Sequence, residues 1–203
     1  MYADAPPPAV LVVSETAGFH HDSIPAEQAF LRSLAGLRVT VVDRIAQLTP
    51  EALRGARAVV FASTSGSPPR NPALLRFVRD GGGFVGLHSA SDTYADWPSY
   101  VRMLGGVRFT GHGPVEARTV TSARDVVTRG LPRRFRQTDE YYRFKGTPTA
   151  RVVVRLGRAP LAWRRAYGRG RVFYSALGHP ISAWSAPRHR RLVAQGVRWA
   201  ARG

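Results

Sequence analysis

The 203-residue chain contains no cysteine. That excludes disulfides, thiolate metal ligands and a thiol nucleophile, and leaves imidazole, carboxylate and hydroxyl groups to carry any chemistry. Lysine is almost missing as well: of 30 Lys plus Arg residues only Lys145 is lysine. Acids are scarce, 13 Asp plus Glu, so the formal net charge is +17. Such an excess invites phosphate binding by counterion release. The arginines are spread through every segment, however, as GC-rich codon usage would leave them, and this argues against a specific nucleic-acid partner. The densest clusters, Arg133-Arg134-Phe135-Arg136 and Arg188 to Arg191, could still attract anions. No run approaches the roughly 18 apolar residues of a membrane span, and Met1 to Pro8 has neither a basic nor an apolar leader region. A cytoplasmic protein without membrane contact is expected, with a homo-oligomer left open.

What is present reads as an N-terminal tail, residues 1–8, and one domain, residues 9–203. Ala9 to Ser14 is an unbroken apolar run of the kind buried on both faces of a parallel sheet. A helix over Ile24 to Ala35 follows, with Ser23 as N-cap and Gly36 as stop. Strands at Arg38–Val42 and Ala58–Ala62, a short helix from Pro50, and a helix over Pro72 to Asp80 lead into Gly81-Gly82-Gly83 and a buried strand, Phe84 to Leu87. Strands alternating with helices predict an α/β fold with a parallel sheet and right-handed crossovers. Beyond Thr93 the rhythm changes. A helix over Trp97 to Leu104 and a glycine-rich loop over Phe109–Pro114 precede short strands at 115–121, 141–144, 150–156, 161–165 and 171–177. An amphipathic helix over Pro187 to Ala201 closes the chain.

In an open α/β sheet, ligands bind outside the carboxyl ends of the strands. His20, His21, His88 and His179 fall at such ends, and His112 in a polar turn. Imidazole titrates near neutrality and serves as acid, base or metal ligand, although any one of these histidines could be purely structural. Asp139-Glu140-Tyr141-Tyr142 offers paired carboxylates beside phenols. Adjacent strand residues face opposite ways, so one carboxylate of the pair is expected in a site. Asp92 with Trp97 is a further acceptor-and-aromatic pair suited to polyols, or else a piece of core. The turn Gly86-Leu87-His88-Ser89-Ala90 is placed like a nucleophile elbow but carries His88 at its apex.

These motifs together, with Ala17 to Ile24, Gly81 to Thr93, Asp139 to Phe144, and Gly170 to Tyr174 running into Leu177-Gly178-His179, resemble the trehalose-utilisation or ThuA-like proteins. The resemblance implies a flavodoxin-like, class I glutamine amidotransferase-like fold with an open, mostly parallel sheet, helices on both faces and extra short strands in the C-terminal half. It also implies loss of glutaminase chemistry, since His88 stands at the cysteine position and His179-Pro180-Ile181 lacks the amidotransferase acid. An association with disaccharides and keto-sugars suggests acid-base work by His88, His179, Glu140 and Asp139. His20, His21, Asp92, Trp97, Tyr141 and His112 would then bind substrate, and a divalent metal ion could be held by His21, His88 and His179. A non-catalytic carbohydrate-binding domain and a basic nucleic-acid binder are the alternatives.

Overall fold

The computed structural model describes residues 6–202; residues 1–5 of the expected tail lie outside the described residues. The N-terminal half contains β1 (Ala9–Val13), α1 (Ile24–Arg32), β2 (Arg38–Val42), α2 (Pro50–Arg54), β3 (Ala58–Ala62), α3 (Pro72–Arg79), β4 (Gly83–Leu87) and α4 (Pro98–Leu104). Then come β5 (Arg108–His112), β6 (Glu116–Ser122), β7 (Arg134–Asp139), β8 (Tyr142–Lys145), β9 (Arg151–Leu156), β10 (Ala159–Tyr167), β11 (Gly170–Ser175) and α5 (Pro187–Ala200). Each of the five helices has proline in its first turn, where the missing N–H costs nothing. Thr49 and Asn71 cap α2 and α3 through their side chains. Ser23 does not cap α1: its backbone is already helical, and its buried hydroxyl has no partner.

Nine strands form one sheet in the order β2-β1-β3-β4-β11-β10-β9-β6-β7. The first five are mutually parallel, and β10, β9, β6 and β7 extend them by antiparallel pairing. The fully apolar runs β3 and β4 lie in the middle and are buried throughout. Alternate strand residues feed two cores. Val10, Val60, Val85 and Phe173 pack with α1 and α5, while Val59, Phe61, Phe84 and Tyr174 pack with α2, α3 and α4.

Two readings of the C-terminal half require correction. Phe109 to Pro114 is not simply a loop: its first residues belong to β5, which pairs with β8 through a bulge between Phe109 and Gly111. The Arg133–Arg136 cluster lies largely on β7, whose alternating pattern exposes Arg134 and Arg136 and buries Phe135, Gln137 and Asp139. Because β6 pairs with β9 at only two positions, the far end of the β6–β7 hairpin is free to leave the sheet. There Asp139 meets the segment that follows β11. Among the described residues no helix is long and apolar enough to cross a membrane.

Candidate functional site

The parallel strands end at one edge, and the sequence places polar residues at each exit. After β4 the chain turns at His88, whose φ of 48° is rare for a side chain bearing a Cβ. Such a conformation persists when its surroundings fix it. The Tyr174 hydroxyl donates to the His88 carbonyl (2.7 Å), and His88 Nδ1 lies 2.9 Å from the Ala176 carbonyl. A carbonyl only accepts, so the proton sits on Nδ1 and the Nε2 lone pair faces the cleft. The loop after β1 is held by β3: Ala17 N donates to Ser65 O, and the Ser65 hydroxyl donates to Phe19 O (2.7 Å). Gly66, at φ 71°, turns so close to Ala17 and Gly18 that a side chain would collide with their backbone.

That anchoring delivers His21 to His88. The two Nε2 atoms are 3.1 Å apart, and His179 Nδ1, from the segment after β11, is 3.3 Å from His88 Nε2. One nitrogen from each of the three histidines lies within 4.8 Å of the others. Ligands at about 2.0–2.1 Å from a tetrahedral metal ion stand about 3.3 Å apart, which the His21–His88 and His88–His179 separations match. The second nitrogen of His21 rests against Ser89 Oγ (3.4 Å), a contact that orients the ring as ligating histidines require.

The antiparallel half supplies the acid side. Asp139 is fully buried, and its oxygens accept N–H bonds from Gly178 (2.9 Å), His179 (3.0 Å) and Glu140 (3.0 Å). It fixes the backbone that carries His179. Glu140 points the other way, into the cleft, with Oε2 3.2 Å from His179 Nδ1 and Oε1 3.2 Å from His112 Nδ1. The Tyr142 hydroxyl donates to His88 Nε2 at 3.1 Å. Phe19, Ser65, Asp92 and Phe109 complete a cleft of about 190 Å³.

Burial governs the titration of these groups. Desolvation, reinforced by the neighbouring imidazole of His179, lowers His21 to about 4, and desolvation with His21 alongside lowers His88 well below the usual histidine range. Both rings are therefore neutral at pH 7, the form that binds metal. Desolvation raises Asp139 to about 7 against the opposing backbone N–H bonds, and it raises Asp92 as well.

Among the residues expected from sequence, His21, His88, His179, His112, Glu140 and Asp92 come together. His20 is exposed beside Thr16. Trp97 packs on Tyr94 and Tyr100 in the core below α4, and Tyr141 turns to the opposite core, where its hydroxyl meets Gln137 O. Of the two phenols beside the carboxylates it is Tyr142 that enters the cleft, and Phe19 and Phe109 join it without a sequence signal of their own. For Tyr142 a signal existed, since it stands two residues from Glu140 and so can share its face.

Comparison with known proteins shows the same architecture elsewhere. A ThuA-like protein from Bacteroides uniformis superposes with a TM-score of 0.80 at 22% identity, covering 98% of this chain and 94% of that one. One from Parabacteroides merdae gives 0.79 at 21% identity, covering 97% and 90%. A beta-galactosidase from Rahnella sp. R3 contains a similar unit, with a TM-score of 0.63 at 16% identity, covering 94% of this chain and 31% of that one. No curated protein matches by sequence. The family model described as "ThuA: Trehalose utilisation" matches residues 9–200, and the chain belongs to that family.

Proposed function

We propose that the protein processes a carbohydrate, a disaccharide or keto-sugar, by histidine and carboxylate acid-base chemistry, with a divalent metal ion held by His21, His88 and His179. The observation that carries this reading is the meeting of three imidazole nitrogens beside Glu140 in a cleft. The Nε2 atoms of His21 and His88 are 3.1 Å apart and the proton of His88 is committed to Ala176, so either the proton of His21 or a cation fills the space between them. Three imidazoles with a carboxylate in reach form a donor set suited to zinc and related ions. A bound ion would act as a Lewis acid on a substrate oxygen. Glu140, between His112 and His179, is the group placed to take a proton from a carbon next to a carbonyl or from a hydroxyl. Tyr142, whose hydroxyl donates to the His88 Nε2 lone pair when no ion takes it, stands beside the same centre. Phe109, tilted against Tyr142 with ring centroids 4.3 Å apart, gives an apolar wall for a sugar face.

The flavodoxin-like and amidotransferase-like relation belongs to the same proposal and is supported by the strand order β2-β1-β3-β4-β11 and by the turn at His88. The direct test combines elemental analysis of tag-free protein with mass spectrometry of disaccharides and their 3-keto derivatives, incubated with and without Zn²⁺, Mn²⁺ and Mg²⁺. Metal at one equivalent with a new product is expected. Binding of a sugar without turnover across the panel would favour the non-catalytic domain.

A further inference from the structure

A cleft of about 630 Å³, larger than the one at the histidines, lies between α5, the end of α1 and residues 129–130. Its lining contains Arg129, Arg190, Arg191 and Arg198 and no acidic residue. A second hollow continues it through Arg129, Gln195 and Arg198 to Arg202. Folding thus gathers five arginines that the sequence scatters. Arg191 and Arg198 stand at i and i+7 on α5, which puts them within about 20° of each other around the helix axis and about 10 Å apart along it, and Arg202 follows two residues past the helix end.

The groove gathers guanidinium groups that are held in place without being neutralised. Carboxylates take arginines at other places, Arg151 and Arg164 on buried Asp125 and Arg70 on Asp96, although with 13 acids to 29 arginines most guanidinium groups have no such partner. Among the described residues none of the five groove arginines has such a partner; all five keep their charge for a ligand. Several are nevertheless held in place. Arg191 donates to Gly130 O (2.9 Å), Arg198 donates to Ala35 O (3.2 Å), and Arg190 lies over the Phe30 ring, 4.9 Å from its centroid. Phe30, Leu34 and Ala194 give the groove an apolar floor.

From this charge complementarity we infer that the groove binds single-stranded nucleic acid through successive backbone phosphates, without sequence specificity. A lone phosphate would use one or two of the arginines and leave the others idle. A duplex major groove needs a helix that protrudes, whereas α5 is walled here by α1 and residues 129–130. A flexible strand can lay successive phosphates against these arginines, with its bases on the guanidinium planes.

The test is fluorescence anisotropy of a labelled twelve-nucleotide oligothymidylate with the full chain, titrated in salt. Contacts to three or four phosphates predict a slope of log K on log salt of about −2 to −3, hence a loss of roughly 20- to 50-fold in affinity between 50 and 200 mM salt. The Arg129→Gln/Arg202→Gln protein should lose about 1.4 of that slope and bind at least tenfold more weakly at 100 mM salt; neither side chain makes a recorded hydrogen bond, so folding is spared. Arg54→Gln/Arg118→Gln, which removes the same charge from other faces, should bind within twofold of the parent. Equal weakening by the two double variants would overturn the inference, as would no binding by the parent at 100 mM salt. Displacement of the oligonucleotide by equimolar tripolyphosphate would also overturn it, in favour of a small-anion site.

Discussion

The two halves of the sheet contribute to the candidate site in different ways. The parallel half presents His21, His88 and His179 from segments that follow strands: the His21 loop is tied to Ser65 after β3, and the His88 turn to Tyr174 and Ala176 at the end of β11. The antiparallel half presents Glu140 from the end of a hairpin that pairs with the sheet at two positions only, and Tyr142 from β8, which pairs with β5 outside the nine-stranded sheet. Asp139 clamps the hairpin end to the parallel half by accepting the Gly178 and His179 N–H groups. The rigid half thus defines where a metal ion could sit, and the looser half brings the proton-handling groups to it. Rigid support for ligands with adjustable delivery of acid and base is a division that mutation can separate.

The largest effect is expected from His88→Ala, which removes the atom shared by the contacts to His21, His179 and Tyr142. Metal content by elemental analysis should fall by at least 100-fold in apparent affinity, and turnover should disappear. Retained stoichiometric metal would break the assignment of the parallel half. Glu140→Gln keeps the volume and removes the base, so turnover should fall about 10²–10⁴-fold while bound metal is kept within a few-fold. Equal loss of both would make Glu140 a ligand rather than a base. Asp139→Asn is expected to cost about 10–100-fold in metal affinity or turnover, since one carboxylate oxygen that accepts a backbone N–H becomes a donor and the His179 segment loosens. Hydrogen exchange localised to residues 177–181 would separate this positioning role from a direct chemical one.

Much of the fold is legible in the sequence because burial on two faces leaves an unmistakable trace. The runs Ala9–Val13, Ala58–Ala62 and Phe84–Leu87 carry no polar residue, and nothing but a central parallel strand explains them economically. His88 is legible for a related reason, as the first polar residue after such a run. The antiparallel half hides its signals. In β5, Phe109-Thr110-Gly111 reads as a turn because the bulge that lets it pair with β8 requires a glycine at φ 140°. Tyr141 and Tyr142 are indistinguishable by composition, and only the register of β8 against β5 sends Tyr142 to the histidines and Tyr141 to the core. Asp139 could be named but not given its task, because its partners lie some forty residues away.

The smallest effect on the site, and one on stability rather than turnover, concerns the floor of the parallel half. Glu27 of α1 is fully buried; one oxygen accepts the Ser63 hydroxyl at 2.6 Å, and the other has no partner. Desolvation raises its carboxyl to about 8 from an ordinary value near 4.5. Below pH 4.5 the group is protonated in both folded and unfolded chains, and its neutral form fits the site without penalty. As pH rises from 4.5 to 8 the unfolded chain releases this proton and the folded chain keeps it, so stability declines across that window. Glu27→Gln retains the neutral shape and the acceptor for Ser63 while abolishing the titration. Its stability relative to the parent, from thermal or urea unfolding, should be near zero at pH 4 and rise to a gain of about 2–4 kcal/mol at pH 8, with turnover unchanged within twofold. A gain that is constant with pH would mean that packing, and not the proton, distinguishes the two side chains. A loss of turnover would mean that the support beneath His88 extends through Ser63 to α1, and that the parallel half is less self-sufficient than its backbone bonds suggest.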